Sequence, residues 1–162
     1  VAAIYEAILD HEDATGIHYT GWQRGAYPTA DTARSIFDAG TLYVGVDETG
    51  SVWGSMNLNG QQLPEYQNGA WTISAEDRQI AVIHTLTIDP ARAGQGLARQ
   101  MVAFAEDTAR RQGKTVLRLD TGTENLPANR MYPALGYKAA GTVDTFFMGY
   151  AQRPLNLYKK KL

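Results

Sequence analysis

Asp89-Pro90-Ala91-Arg92-Ala93-Gly94-Gln95-Gly96-Leu97-Ala98 joins an apolar, β-branched run to an amphipathic one, and the elements on either side of it set the fold. Upstream, Ile80 to Asp89 reads as a buried strand. Downstream, Leu97, Met101, Phe104, Ala105 and Ala109 fall on one face of a helix that Gly113 stops. Thr115 to Asp120 then alternates as a second strand. Strand–helix–strand order requires a parallel pair with a right-handed crossover. Gly94 and Gly96 let the connection turn sharply and come close to a ligand. The first-turn N–H groups of a helix have no intrahelical partner and sit at the positive end of its dipole, so phosphate is their natural occupant. No Asp or Glu lies between Arg92 and Glu106 to compete. The same residues also suit a strand-to-helix turn that holds nothing.

Working outward, Ile4, Ala7, Ile8 and Leu9 predict a first helix ending at Thr15-Gly16. Residues 16 to 28 read as loop and contain Tyr19, Trp22 and Tyr27. Thr29 suits the N-cap of a helix running to Ala39, with Gly40 as its stop. Leu42 to Val46 and Ser51 to Asn59 read as a hairpin across Asp47-Glu48-Thr49-Gly50. Residues 60 to 79, rich in Gln, Asn and Gly, show no period, and a segment that long is either functional or flexible. After the parallel pair come a helix over Asn125 to Leu135, closed by Gly136, and strands over Tyr137 to Thr145 and Leu155 to Leu162. This order predicts an α/β fold: a mixed, mostly antiparallel sheet with one parallel pair and helices on both faces. The opening Val1-Ala2-Ala3-Ile4-Tyr5 is already helical in character and has no initiating Met, so further residues, such as a strand, are expected upstream.

A length of 162 residues suits one domain over 1–162, which buries roughly 70% of its unfolded surface without a disulfide or structural metal. A net charge of −2 supplies no field toward nucleic acid or an anionic membrane. Cysteine is absent, which removes thiol nucleophiles, redox pairs and thiolate metal sites. No secretory leader or transmembrane run is visible, and a cytoplasmic protein is expected. His11-Glu12-Asp13 with His18 lacks metal-ligand spacing, because His-Glu-x-x-His would need His where Thr15 stands. Lys159-Lys160-Lys161 reads as a solvated strand end. A P-loop would need Gly-Lys-Ser/Thr where Gly96-Leu97-Ala98 follows. A dinucleotide fingerprint would need a third glycine where Arg99 stands, although Asp120 sits near the spacing of its acidic residue.

Pro90 to Ala98 resembles the acetyl-CoA pyrophosphate loop of the GNAT superfamily of N-acetyltransferases, Arg/Gln-x-x-Gly-x-Gly/Ala after a strand. Gly96 and Ala98 match its small residues; Ala93 departs from the leading Arg/Gln, with Arg92 one residue early. Asn125-x-x-Ala128-x-x-x-Tyr132-x-x-x-Gly136-Tyr137 is similar to the family's Asn-x-x-Ala-x-x-x-Tyr-x-x-x-Gly-Phe/Tyr segment, and Asn156 to Lys160 resembles its last strand. The likeness is specific over residues 80 to 137 and thin over 1 to 79.

The resemblance implies direct transfer of acetyl from acetyl-CoA, as co-substrate and without metal, to a primary amine of a small molecule or a peptide N-terminus. It implies that the parallel strands splay into a V-shaped cleft. Backbone groups around Leu86, Thr87 and Ile88 would pair with the pantetheine arm, and Arg92, Ala93, Gly94, Gln95, Gly96, Leu97 and Ala98 would surround the phosphates. Tyr132 would be the acid that meets the sulfur, or else a core tyrosine; Pro133 predicts strain beside it. Asn125 would bond the pantetheine or cap its helix. His84 stands where many relatives carry a glutamate base, and an imidazole of pKa about 6.5 suits the task; a structural histidine is the alternative. Glu65, Glu76 and Asp77 are further bases or ordinary solvated charges. Trp22, Tyr27, Tyr66 and Trp71 line the acceptor pocket or cap the core. A homodimer covering the terminal strand edges is plausible. Two other readings stay open: a non-catalytic acyl-CoA sensor, and a nucleotide-binding enzyme using Gly94 and Gly96.

Overall fold

Ile80 and Val82 face one side of their strand, Ala81 and Ile83 the other, and all four are buried. Such a strand belongs in the middle of a sheet with both faces covered. The computed structural model, which describes residues 1–145 and 153–162, places it there. In chain order the strands are β1 (Leu42–Val46), β2 (Val52–Asn59), β3 (Ile80–Ile88), β4 (Val116–Gly122), β5 (Lys138–Thr145) and β6 (Arg153–Lys161). They form one sheet in the order β1-β2-β3-β4-β6-β5. Only β3 and β4 run parallel; the other neighbours are antiparallel. The mixed α/β sheet expected from the element order is the one found.

One face carries α3 (Leu97–Arg111) and α4 (Leu126–Ala134). Met101, Val102, Ala105 and Ala109 of α3 pack on Met56, Leu58, Ala81, Ile83, Leu117 and Leu119, and Tyr132 of α4 extends this cluster to Tyr137 and Tyr158. Phe104, expected in that stripe, is 46% exposed at the rim, tilted against Tyr43. On the opposite face α1 (Ala2–Thr15) bonds the sheet through the Tyr5 hydroxyl and Ser55. The helix α2 (Ala30–Asp38) packs beside β1. Thr29 opens α2 as a reciprocal cap, its hydroxyl accepting from the Thr32 amide at 3.3 Å while the Thr32 hydroxyl accepts from the Thr29 amide at 3.0 Å.

Residues 60–79 have a structure of their own. Two short 3-10 helices, Pro64–Asn68 and Asp77–Gln79, fold the segment over the sheet, and Tyr66 is buried on Ile80, Val82, Val116 and Leu157. The lysine-rich end also departs from its reading as solvated. β6 lies between β4 and β5, so its side chains alternate into both sheet faces. Lys159 is only 3% exposed and donates to the Ala70 carbonyl, while Lys160 donates to both carboxylate oxygens of Glu106, at 2.7 and 2.8 Å. Among the described residues no helix is long and apolar enough to cross a membrane, and no group of His, Asp and Glu is placed to hold a metal ion.

Candidate active site

The cleft begins where the parallel pair ends. β3 and β4 are in register from Ile80↔Val116 to Ile83↔Leu119; beyond that both continue, to Ile88 and Gly122, without pairing. On the other side of β3 the register with β2 slips. Ser55 lies opposite Thr87 but Asn57 lies opposite His84, so β3 carries one residue more than β2 between those points. That bulge frees backbone at Thr85 and Leu86 on the strand that borders the opening. Thr85 holds φ +48, which costs a non-glycine residue about 1–3 kcal/mol. Its hydroxyl lies 2.5 Å from the hydroxyl of Tyr27.

At the far end of β3, Asp89 caps a turn by accepting from the Ala91 amide at 2.9 Å. Gly94 and Gly96 follow with φ of +77 and +74. Open space surrounds the position of a Cβ at either glycine, so the need for glycine is conformational. Gly96 is the N-cap of α3; no side chain caps this end, and the first turn carries no acidic residue. The first amides of this fifteen-residue helix are thus left for a ligand at an exposed loop. Arg92 does not point there: its guanidinium bonds Asp47 of the β1–β2 turn at 2.5 Å. Hydrogen bonds from Thr49 and then Arg92 hold the Asp47 carboxyl well below the usual carboxylate range.

Between these two ends lies a cavity of about 550 Å³. α1 contributes Ile8, His11 and Glu12, and the 19–27 loop contributes Tyr19, Trp22 and Tyr27; β3 adds His84 and Leu86, β4 adds Asp120, and α4 adds Met131 and Tyr132. Ala93 and Ala98 line the opposite mouth, beside the glycine turn. His84 and Asp120 are the first residues beyond the last β3–β4 pair, so they face each other across the opening. The Tyr66 hydroxyl donates to Asp120 Oδ2 at 2.7 Å. The Nε2 of His84 lies 3.0 Å from the Gln61 carbonyl, which only accepts; the neutral imidazole therefore donates from Nε2 and keeps its lone pair on Nδ1. Burial lowers the His84 pKa, with Asp120 and the Gln61 carbonyl acting against it. Burial raises that of Asp120, opposed by Tyr66 and His84. The two groups compete for a proton at the floor of the cleft.

Tyr132 closes the cleft from the other strand's side. Its ring packs edge-on to Tyr137 and tilted on Tyr158, with centroids 5.6 Å away in both cases. Burial first, then Asp120 and Tyr158, pushes its phenol far above the ordinary value, so it stays protonated. Pro133 leaves the helix unbroken through Ala134, although it cannot donate to the Asn129 carbonyl. Asn129 braces this region instead. Its amide donates to the carbonyls of Gly122, Thr123 and Asn125 at 2.9, 3.2 and 2.9 Å, and its oxygen accepts from Asn156 and Tyr158, both at 2.9 Å. Asn125 caps α4, accepting from the Ala128 amide at 3.2 Å, and also lines the cavity.

Of the residues singled out from the sequence, Trp22, Tyr27, His84, Leu86, Ile88, Ala93, Ala98, Asn125 and Tyr132 meet in this cavity. Thr87 turns its side chain into the sheet, bonding Ser55 at 2.8 Å, so it offers only backbone. Gly94, Gln95 and Gly96 are exposed just outside the mouth, with Leu97 beside them. Tyr66 and Trp71 do not line the cleft. Trp71 donates to the Tyr66 carbonyl at 2.5 Å and stacks under Arg118 at 4.1 Å, covering a sheet face that would otherwise be bare. Glu65, Glu76 and Asp77 also lie outside the lining. Sequence reasoning missed Asp120 as a cleft residue, together with Thr85, Arg153 and the brace Asn129. Asp120 had a signal: an acid at the carboxyl end of a parallel strand, where open α/β sheets bind ligands.

Residues 6–137 match the model of the acetyltransferase (GNAT) family. An uncharacterised N-acetyltransferase of Methanocaldococcus jannaschii is 31% identical over 68 residues, covering 42% of this chain and 30% of that protein. Streptothricin acetyltransferase of Escherichia coli is 32% identical over 87 residues, 54% of this chain and 45% of that protein. The matches thus span less than half the length of these curated relatives. The fold is shared with yncA of Salmonella typhimurium, solved with its cofactor acetyl-CoA: TM-score 0.68, 19% identity, 99% of this chain and 88% of that one. With the family model matching most of the chain across the glycine turn, the splayed strands and α4, the protein belongs to the GNAT acetyltransferase family.

Proposed function

We propose that the protein is an acyltransferase of one domain that moves the acetyl group of acetyl-CoA to a primary amine. The observation that carries this reading is the uncapped, acid-free start of α3 behind Gly94 and Gly96, opening onto a cavity that ends at His84, Asp120 and Tyr132. The α3 amides suit the phosphates, with Ala93, Gln95, Leu97 and Ala98 around them. The unpaired edge of β3 at Leu86, Thr87 and Ile88, with Asn125 opposite, suits a pantetheine arm. Acetyl-CoA supplies an activated thioester, so the chain itself must manage protons and charge. An amine arrives largely as ammonium, and the His84–Asp120 pair, its histidine biased toward neutrality, is suited to take its proton. The departing sulfur, whose thiol has a pKa near 8.5, gains a proton from Tyr132, which burial keeps protonated. An amide freed at the Thr85–Leu86 bulge is suited to steady charge on the carbonyl oxygen. Trp22 and Tyr27 form the acceptor side.

The test is thermal unfolding with acetyl-CoA, CoA, NAD and ATP in parallel, followed by release of CoA thiol in the presence of amines. A ligand at a hundredfold its Kd adds about 2.7 kcal/mol and raises the melting temperature of a chain this size by roughly 5–10 °C. A shift with acetyl-CoA and CoA alone supports the reading. A shift only with NAD or ATP, or none, overturns it.

A further inference from the structure

The cavity is charged asymmetrically. Its floor holds the half-buried Asp120, whose Oδ2 is occupied by Tyr66 while no described residue bonds Oδ1. The other lining carboxylate, Glu12, is already engaged: its two oxygens accept from the Thr20 amide at 2.8 Å and the Thr20 hydroxyl at 3.0 Å. Among the described lining residues, Arg153 is the only permanent cation. No described carboxylate lies within 4.0 Å of it, as is also true of Arg34, Arg99, Arg111, Arg118 and Arg130. Its side chain lies against Gly21: a Cβ there would stand 2.5 to 2.8 Å from the Arg153 side-chain atoms. Gly21 belongs to the same 16–28 loop as Tyr19, Trp22 and Tyr27, so this guanidinium is on the acceptor side of the cleft, away from the glycine turn. The sheet sets the spacing. Asp120 pairs with Leu157 and Gly122 with Leu155, so Arg153 begins about four residues beyond Asp120, roughly 13 Å along the strands. The Arg153 side chain lies against Gly21, which itself lines the cavity. A small molecule bridges the space from there to Asp120.

We propose that the acceptor is a small amino acid with an apolar or aromatic side chain, its ammonium group at Asp120 and His84 and its carboxylate at Arg153. This rests on the acetyl-transfer reading and adds the substrate class to it. Arg153 is solvent-exposed where it lines the cavity, so a bare amine leaves it to water, whereas a carboxylate is held by a guanidinium through two parallel N–H bonds. The walls of Ile8, Tyr19, Trp22, Tyr27 and Leu63 are mostly apolar and suit a side chain of the same character.

Three amino acids, phenylalanine, methionine and leucine, are compared with the amines that lack only their carboxylate, by CoA-thiol release and by calorimetric binding to enzyme saturated with CoA. The expected kcat/KM is at least tenfold higher for the amino acids. Arg153→Gln erases that preference by raising KM and Kd for the amino acids, leaves the amines unchanged and keeps the affinity for CoA; Arg153→Lys restores part of it. Amines used as well as amino acids, a preference that survives Arg153→Gln, or CoA binding with no amino acid bound or acetylated overturns the proposal and leaves the acetyl-CoA reading standing. Loss of CoA binding by the unaltered protein would instead refute that underlying reading.

Discussion

Asn129→Ala removes one side chain that joins three elements: the end of β4, the start of α4 and β6. An amide has two N–H donors and two acceptor lone pairs. Here the donors reach three carbonyls, one of them by sharing, and the oxygen takes Asn156 and Tyr158. Its hydrogen-bonding capacity is filled. At about 0.5–1 kcal/mol for each of four bonds, truncation costs about 2–4 kcal/mol, or about 4–16 °C in melting temperature for a chain of this size. Asn129→Asp is the sharper test. It keeps the shape and both acceptor positions, yet it replaces the donor with a carboxylate oxygen facing three carbonyls. If donation to Gly122, Thr123 and Asn125 is what matters, Asp destabilises at least as much as Ala at pH 7. Urea unfolding followed by tryptophan fluorescence and far-ultraviolet circular dichroism measures both. Either variant within 0.5 kcal/mol of the parent, or Asp clearly more stable than Ala, would refute the reasoning. Because α4 carries Asn125 and Tyr132, acetyl-CoA affinity should fall along with stability.

Tyr132→Phe removes a hydroxyl that no described residue bonds, so stability should change by less than about 1 kcal/mol; kcat should fall by about 100-fold or more, read by CoA-thiol release, with the affinity for acetyl-CoA held. Gly96→Ala places a side chain at φ +74 in open space; unfolding should show a loss of about 1–2 kcal/mol, and calorimetry a weaker acetyl-CoA complex. For His84 the folded pKa lies below the unfolded value near 6.5, so the unfolded state binds more protons and stability falls as pH drops below about 6.5. For Asp120 the folded pKa lies above the unfolded value near 3.9, so stability falls as pH rises from there toward the folded value. Urea titrations across pH 4 to 8 should show His84→Gln flattening the first dependence and Asp120→Asn the second. If the pair accepts the amine proton, the acid limb of kcat/KM should disappear in His84→Gln and move to lower pH in Asp120→Asn, which removes a carboxylate that raises the His84 pKa.

Much of this protein was legible from local chemistry. A continuous apolar, β-branched run identified β3, the stripe from Leu97 to Ala109 identified α3, and Thr29 and Asn125 marked helix starts, because each signal involves residues within a turn or two of one another. The glycine turn and the Tyr132 segment were equally local, and they carried the family. Tertiary structure decided what long-range pairing decides. β3 and β4 stop pairing after Ile83 and Leu119, and that divergence brings His84 against Asp120, 36 positions later in the chain. The periodless 60–79 segment supplies Tyr66 to the cluster, from a short 3-10 helix laid over an apolar sheet face that needs a cover. Lys159, polar by composition, is buried because β6 inserts between two strands and its register turns that residue inward. A sequence shows which way a residue faces along its own strand. Which groups it meets there depends on the strand laid beside it and on where the two part.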